Sequence, residues 1–122
     1  MIDLLDSSVA IDYLREVDVA LEVVDASDEL LASEITRYEV LAGIRPGEED
    51  LTEDLLALPM WVDVDEAIAR RAAALARQYR SSFSGIEDAD YLIAATALEL
   101  GARLLTTNVR HFPMLPGLQP AY

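Results

Sequence analysis

The chain has no cysteine and no lysine, and only one histidine (His111), one tryptophan (Trp61) and two phenylalanines among its 122 residues. Without cysteine there is no disulfide framework and no thiolate zinc site, a composition that agrees with a reducing compartment. A single histidine makes an imidazole-built zinc centre equally improbable. No apolar run is long enough to span a bilayer. The opening Met1-Ile2-Asp3-Leu4-Leu5-Asp6 is too acidic for a secretory signal, so a cytoplasmic location is expected. Positive charge is the other scarcity: nine arginines face 23 acids, for a formal net charge of −14. Such a charge repels a nucleic-acid backbone at long range and argues against a nonspecific coat protein. It suits a chain that gathers divalent cations or docks on a basic partner, and it equally serves plain solubility.

What is present is hydrophobic material, 52% of the residues, enough for one domain over residues 1–122 with its own core. The chain centres on Gly85-Ile86-Glu87-Asp88-Ala89-Asp90-Tyr91-Leu92-Ile93-Ala94-Ala95-Thr96-Ala97. Its left end crowds three carboxylates into four positions. Its right end is apolar on nearly every face, which predicts a buried helix. Asp88 and Asp90 fall in the first turn, where the helix dipole favours them.

Around this helix, short apolar runs alternate with helical periodicity. Strands are expected at Ile2–Leu5, Glu29–Ser33, Met60–Val64 and Ala102–Thr107, with a marginal edge strand starting at Leu118. Helices are expected over Val9–Arg15, Val17–Asp25 and Glu34–Ile44, the last with Ile35, Tyr38, Leu41 and Ala42 as its apolar face. A further helix starts at Glu48-Glu49-Asp50, carries Leu51, Leu55, Leu56 and Leu58, and stops at Pro59. Asp65 caps another that runs to Tyr79. There are no internal repeats, low-complexity tracts or linkers. This alternation predicts an α/β fold, a three-layer α/β/α sandwich around a short parallel sheet.

Parallel sheets place their sites beyond the C-terminal ends of the strands. Asp6 lies just past the first strand; Thr107 and Asn108 lie just past the fourth. The central helix runs antiparallel to the strands, so its start, with Asp88 and Asp90, is at the same edge. Glu39, in the helix after the second strand, leans over that edge too. Three or four oxygen ligands completed by water suit Mg²⁺ or Mn²⁺. Carboxylates packed together are costly without a cation, so their convergence would imply a metal.

Asp6 after an apolar strand, Ser33-x-x-Thr36-x-x-Glu39, Asp90-x-x-Ile93-Ala94-Ala95-Thr96-Ala97 and Leu105-Thr106-Thr107-Asn108-Val109-Arg110-x-Phe112 together resemble the PIN-domain ribonucleases. Within that family they look like the VapC toxins of type II toxin–antitoxin pairs. The resemblance covers nearly the whole chain. It implies that Asp6, Glu39 and Asp90 form the acidic metal-binding set, with Asn108 beside them where relatives carry Asp or Asn. Relatives often place an acid three residues after that Asn, where this chain has His111. Asp88 is an extra acid, either an outer ligand or a helix cap. The chemistry implied is Mg²⁺- or Mn²⁺-dependent hydrolysis of RNA, with Glu39 either a direct ligand or the holder of the attacking water. Arg110 and Thr107 are placed to meet phosphate, with Arg15 and Arg37 as weaker candidates. The implied partners are RNA, an antitoxin with a basic tail and a second copy of the chain through the early helices.

Other classes fit less well. A haloacid-dehalogenase phosphatase needs an Asp two residues after Asp6, where Ser8 stands, and both that class and receiver domains use a lysine late in the chain. A PIN-like domain that only binds RNA or a partner, with weak catalysis, is the alternative.

Overall fold

The computed structural model describes all 122 residues, Met1–Tyr122. Four strands, β1 (Ile2–Leu5), β2 (Glu29–Ser33), β3 (Met60–Val62) and β4 (Arg103–Leu105), form one sheet in the order β3-β2-β1-β4. Every pairing is parallel. The connections are α1 (Ser7–Leu14) and α2 (Asp18–Asp25), then α3 (Glu34–Ala42) and α4 (Glu49–Leu56), then α5 (Glu66–Tyr79) and α6 (Asp88–Leu100). A 3₁₀ turn, Val109–His111, follows β4.

Side chains alternate across a strand, so neighbouring residues feed opposite faces of the sheet. Leu4 and Leu104 point into a core with Ile68, Ala72 and Ala76 of α5 and Ile93, Ala94, Ala95 and Ala97 of α6. Leu5, Leu105 and Ala32 point into the other core, with Val9 and Ala10 of α1, Val24 of α2, Val40 of α3 and Leu55 of α4. Burial on both faces explains why the strands read as apolar runs rather than alternating ones. The three-layer expectation is borne out.

Local chemistry sets the ends. The Asp65 carboxylate accepts from the Ile68 backbone N–H at 2.9 Å and starts α5. The buried helix closes at Gly101, whose φ of 61° is left-handed and costs glycine little. Asp3 is buried in β1, where it accepts from Ser27 Oγ at 2.7 Å and pairs with Arg103 of β4 at 2.8 Å. That pair spans the β1–β4 register and supplies the charge a buried aspartate requires.

The structure corrects several expectations. The buried face of α3 is Thr36 and Val40; Tyr38 is 72% exposed and Leu41 41%. The reason is polar: Thr36 Oγ1 donates to the Leu5 carbonyl at 3.3 Å, which pins the i, i+4 pair Thr36/Val40 to the sheet. In α4, Leu55 and Leu56 are buried with Thr52, while Leu51 and Leu58 are exposed. No strand forms after Leu118; the tail makes one ladder-like bond, Ala121 N–H to the Thr106 carbonyl at 2.8 Å. Pro116 and Pro120 lack the N–H that a longer ladder needs. The third and fourth strands are also shorter than expected, ending at Val62 and Leu105.

Candidate active site

The strand order turns at β1: the chain moves outward to β2 and β3, then returns to place β4 on the other side of β1. In open parallel sheets, the crevice beyond the strand ends at such a reversal is where ligands bind. Asp6 leaves β1 at this point, and Thr106 leaves β4 beside it. The Asp6 backbone N–H donates to the Leu105 carbonyl at 3.0 Å, which locks the two strand ends together.

Asp6 is 5% exposed and tightly held. Its Oδ2 accepts from Thr106 Oγ1 at 2.7 Å and from Ser8 Oγ at 3.0 Å. Both hydroxyls are themselves fixed: the Asn108 N–H donates to Thr106 Oγ1 at 3.0 Å, and the Thr107 N–H donates to Ser8 Oγ at 3.1 Å. The bonds to Oδ2 leave Oδ1 with no protein donor. The sequence assigns neither Ser8 nor Thr106 a site role, although Thr106 lies inside the Leu105–Phe112 motif; what distinguishes Thr106 is a hydroxyl in a wholly buried position.

Asp90 stands at the start of α6, where its Oδ2 accepts from the Glu87 backbone N–H at 3.0 Å. Burial raises its pKa above the usual carboxylate value. The Glu87 N–H and His111 draw it back, and the charges of Asp6 and Glu87 push it further up. Glu39 is half-buried at the rim, brought there because Thr36, three residues earlier on the same side of α3, faces the sheet. Burial first, then the charge of Asp6, raise the Glu39 pKa; Ser7 opposes the rise, and Asp90 and Glu87 add to it. Acids from positions 6, 39, 87 and 90 therefore share one electrostatic field. No three His, Asp or Glu side chains are closed into a ready-made metal cage.

Asn108 is exposed, beside the half-buried Thr107. With Val109, Arg110, His111 and Pro120 they line a shallow pocket of about 290 Å³. A larger hollow, about 420 Å³, lies away from the acids along the outer side of β4. His111 Nδ1 is 3.5 Å from Asp90 Oδ2.

Two of the residues expected at the site are engaged elsewhere. Asp88 is exposed and pairs with Arg80, just past α5, at 3.0 Å. Residues two apart on a helix lie on nearly opposite sides, so Asp88 and Asp90 cannot both face the cleft. Arg37 pairs with Glu34 at 2.6 Å, and its guanidinium lies 4.0 Å from the Trp61 ring centre, so it is already occupied. Arg110 has no carboxylate partner.

The PIN domain family model matches residues 4–116. Ribonuclease VapC19 of Mycobacterium tuberculosis is 50% identical, with 98% of each chain covered. This chain belongs to the PIN-domain family, among the VapC ribonucleases. Ribonuclease VapC10 of the same organism is 40% identical to this VapC-type domain, covering 98% of this chain and 92% of that one. Among solved structures, the toxin-antitoxin complex from Klebsiella pneumoniae matches the PIN domain with a TM-score of 0.84 at 27% identity, covering 98% of both chains. VapBC-1 from nontypeable Haemophilus influenzae matches with a TM-score of 0.80 at 26% identity, covering 99% of this chain and 98% of that one. No helix of this VapC-type chain is long and apolar enough to cross a membrane.

Proposed function

We propose that this VapC-type PIN domain is a Mg²⁺- or Mn²⁺-dependent endoribonuclease and the toxin half of a type II toxin–antitoxin pair. The observation that supports the reading is the electrostatic coupling of three acids dispersed in sequence: the charge of Asp6, at the end of β1, raises the pKa of both Glu39 and Asp90. The donor set fits a hard divalent cation: carboxylate oxygens, the Asn108 amide and no thiolate. The raised pKa values of Glu39 and Asp90 mark a place where positive charge is welcome. Asp6, Glu39 and Asp90 would hold the ion, which, when bound, lowers the pKa of water and offsets charge on phosphoryl oxygens.

The chain supplies the rest. Ser8 and Thr106 hold Asp6 in one orientation, and the Glu87 N–H does the same for Asp90. Glu39, half-buried and within the field of Asp6 and Asp90, would hold either the ion itself or the attacking water. Arg110 and Thr107 bind phosphate in the adjoining pocket, and Asn108 orients the reacting group. The pocket lined by Thr107, Asn108 and Arg110 is shallow and open, which suits a polymer better than an enclosed small molecule.

An antitoxin with a basic tail complements a chain of net charge −14. A homodimer through the early helices is part of the same reading, supported by the uncovered Tyr38 and Leu41 on α3. The test is cleavage of an RNA panel by partner-free protein. Cleavage should need Mn²⁺ or Mg²⁺, stop with EDTA, be lost in Asp6→Asn and Asp90→Asn, and be inhibited by the co-purifying partner. A wild type inert on every RNA, unchanged by either substitution, would leave a domain that only binds.

A further inference from the structure

We propose that His111 is a nitrogen donor to the bound cation and biases the centre toward Mn²⁺ over Mg²⁺. The inference rests on the metal-dependent reading above and concerns which ion that site selects. His111 is the only histidine of the chain. Its backbone is fixed by the 3₁₀ turn, where its N–H donates to the Asn108 carbonyl at 2.9 Å. The next residue, Phe112, is 2% exposed and anchors the turn in the core. The imidazole is thus held beside Asp90, at the pocket it lines with Asn108 and Arg110, with 46% of its side chain open to solvent.

The 3.5 Å between His111 Nδ1 and Asp90 Oδ2 is too long for a good hydrogen bond, and Oδ2 already accepts from the Glu87 N–H at 3.0 Å. It is close to the roughly 3 Å that separates neighbouring donors around one octahedral ion. A nitrogen at this corner of an oxygen site matters for selection. Mg²⁺ keeps to oxygen and water, whereas affinity for nitrogen donors rises along the transition series that begins with Mn²⁺. The competing role is a counter-cation for Asp90, in which case His111 would oppose the binding of any metal.

The two roles give opposite results in metal-binding experiments that do not read activity. The protein is loaded with Mn²⁺ alone and followed by pulsed electron paramagnetic resonance, with Mn²⁺ and Mg²⁺ affinities measured by titration calorimetry. The wild type should show modulation from a directly bound ¹⁴N, and His111→Gln should lose it. In His111→Gln, Mn²⁺ affinity should fall about tenfold or more, the scale for disturbing even an outer-shell partner, while Mg²⁺ affinity changes little. His111→Asp, which adds an oxygen ligand, should bind Mg²⁺ more tightly than wild type and lack the nitrogen signal. Mn²⁺ binding that depends on Asp6 and Asp90 but shows no nitrogen coupling would overturn the inference and leave the metal-dependent reading intact. So would tighter binding of both ions in His111→Gln. A wild type that binds no Mn²⁺ at all would overturn both.

Discussion

Replacing Thr106 by valine removes one hydroxyl from a fully buried position and keeps the shape. That hydroxyl donates to Asp6 Oδ2 at 2.7 Å and accepts from the Asn108 N–H at 3.0 Å. A hydrogen bond to a charged group contributes about 1.5–3 kcal/mol. The Asn108 N–H belongs to an exposed residue and regains water, so its loss adds little. A methyl in place of the hydroxyl returns about 0.8 kcal/mol through burial. The net cost is about 1–2 kcal/mol, which for a domain of this size lowers Tm by about 4–8 °C. The effect on the site should be larger than the effect on the fold. With Asp6 held only by Ser8, Mn²⁺ affinity should fall about 10- to 100-fold, as when an outer-shell partner of a ligand is lost. Thr106→Ser keeps the hydroxyl and should stay within a few-fold of wild type. Calorimetric titration with Mn²⁺ and thermal unfolding in EDTA measure the two quantities separately. Wild-type Mn²⁺ affinity in Thr106→Val would refute the reasoning and show that Ser8 suffices. A double-mutant cycle with Ser8→Ala should then reveal the coupling between the two donors.

Glu39→Gln should make the metal-free protein more stable at neutral pH while removing cleavage. Glu39 and Asp90 both have raised folded-state pKa values, so between the ordinary carboxylate range and those values the folded state holds more protons than the unfolded. Their penalty is fully present above the raised values and gone below about pH 4. The advantage of Glu39→Gln in Tm, measured in EDTA, should therefore shrink as pH falls toward that point; an advantage that grows with acid would contradict the assignment. Asp88→Asn should leave Mn²⁺ affinity unchanged and cost less than about 1 kcal/mol, because it breaks only an exposed pair with Arg80. A tenfold loss of metal in that variant would return Asp88 to the site.

How far the sequence reaches differs from residue to residue. Asp6, Glu39 and Asp90 can be brought to one edge by topology alone, because parallel strands leave only one edge at which their C-terminal ends meet. Composition does not separate Asp88 from Asp90, though the helical angle between them excludes a shared direction. The face of α3 is misread from periodicity because Tyr38 and Leu41 outweigh Thr36 in hydrophobicity. The decisive contact is polar, from Thr36 to the Leu5 carbonyl, and hydrophobic periodicity does not register it. Thr106 is hidden for a related reason: its importance lies in bonds to residues 6 and 108, one of them a hundred positions away.

That separation bears on how such a chain is made. Asp6 leaves the ribosome a hundred residues ahead of the hydroxyl that steadies it. Asp90, Thr106 and Arg110 all belong to the final third of the sequence. A polypeptide that stops short of β4 thus has no working edge, and pairing β1 with β4 is a long-range step of the kind that slows folding. The edge that carries Asp6 is therefore complete only once the last strand of the sheet has been made.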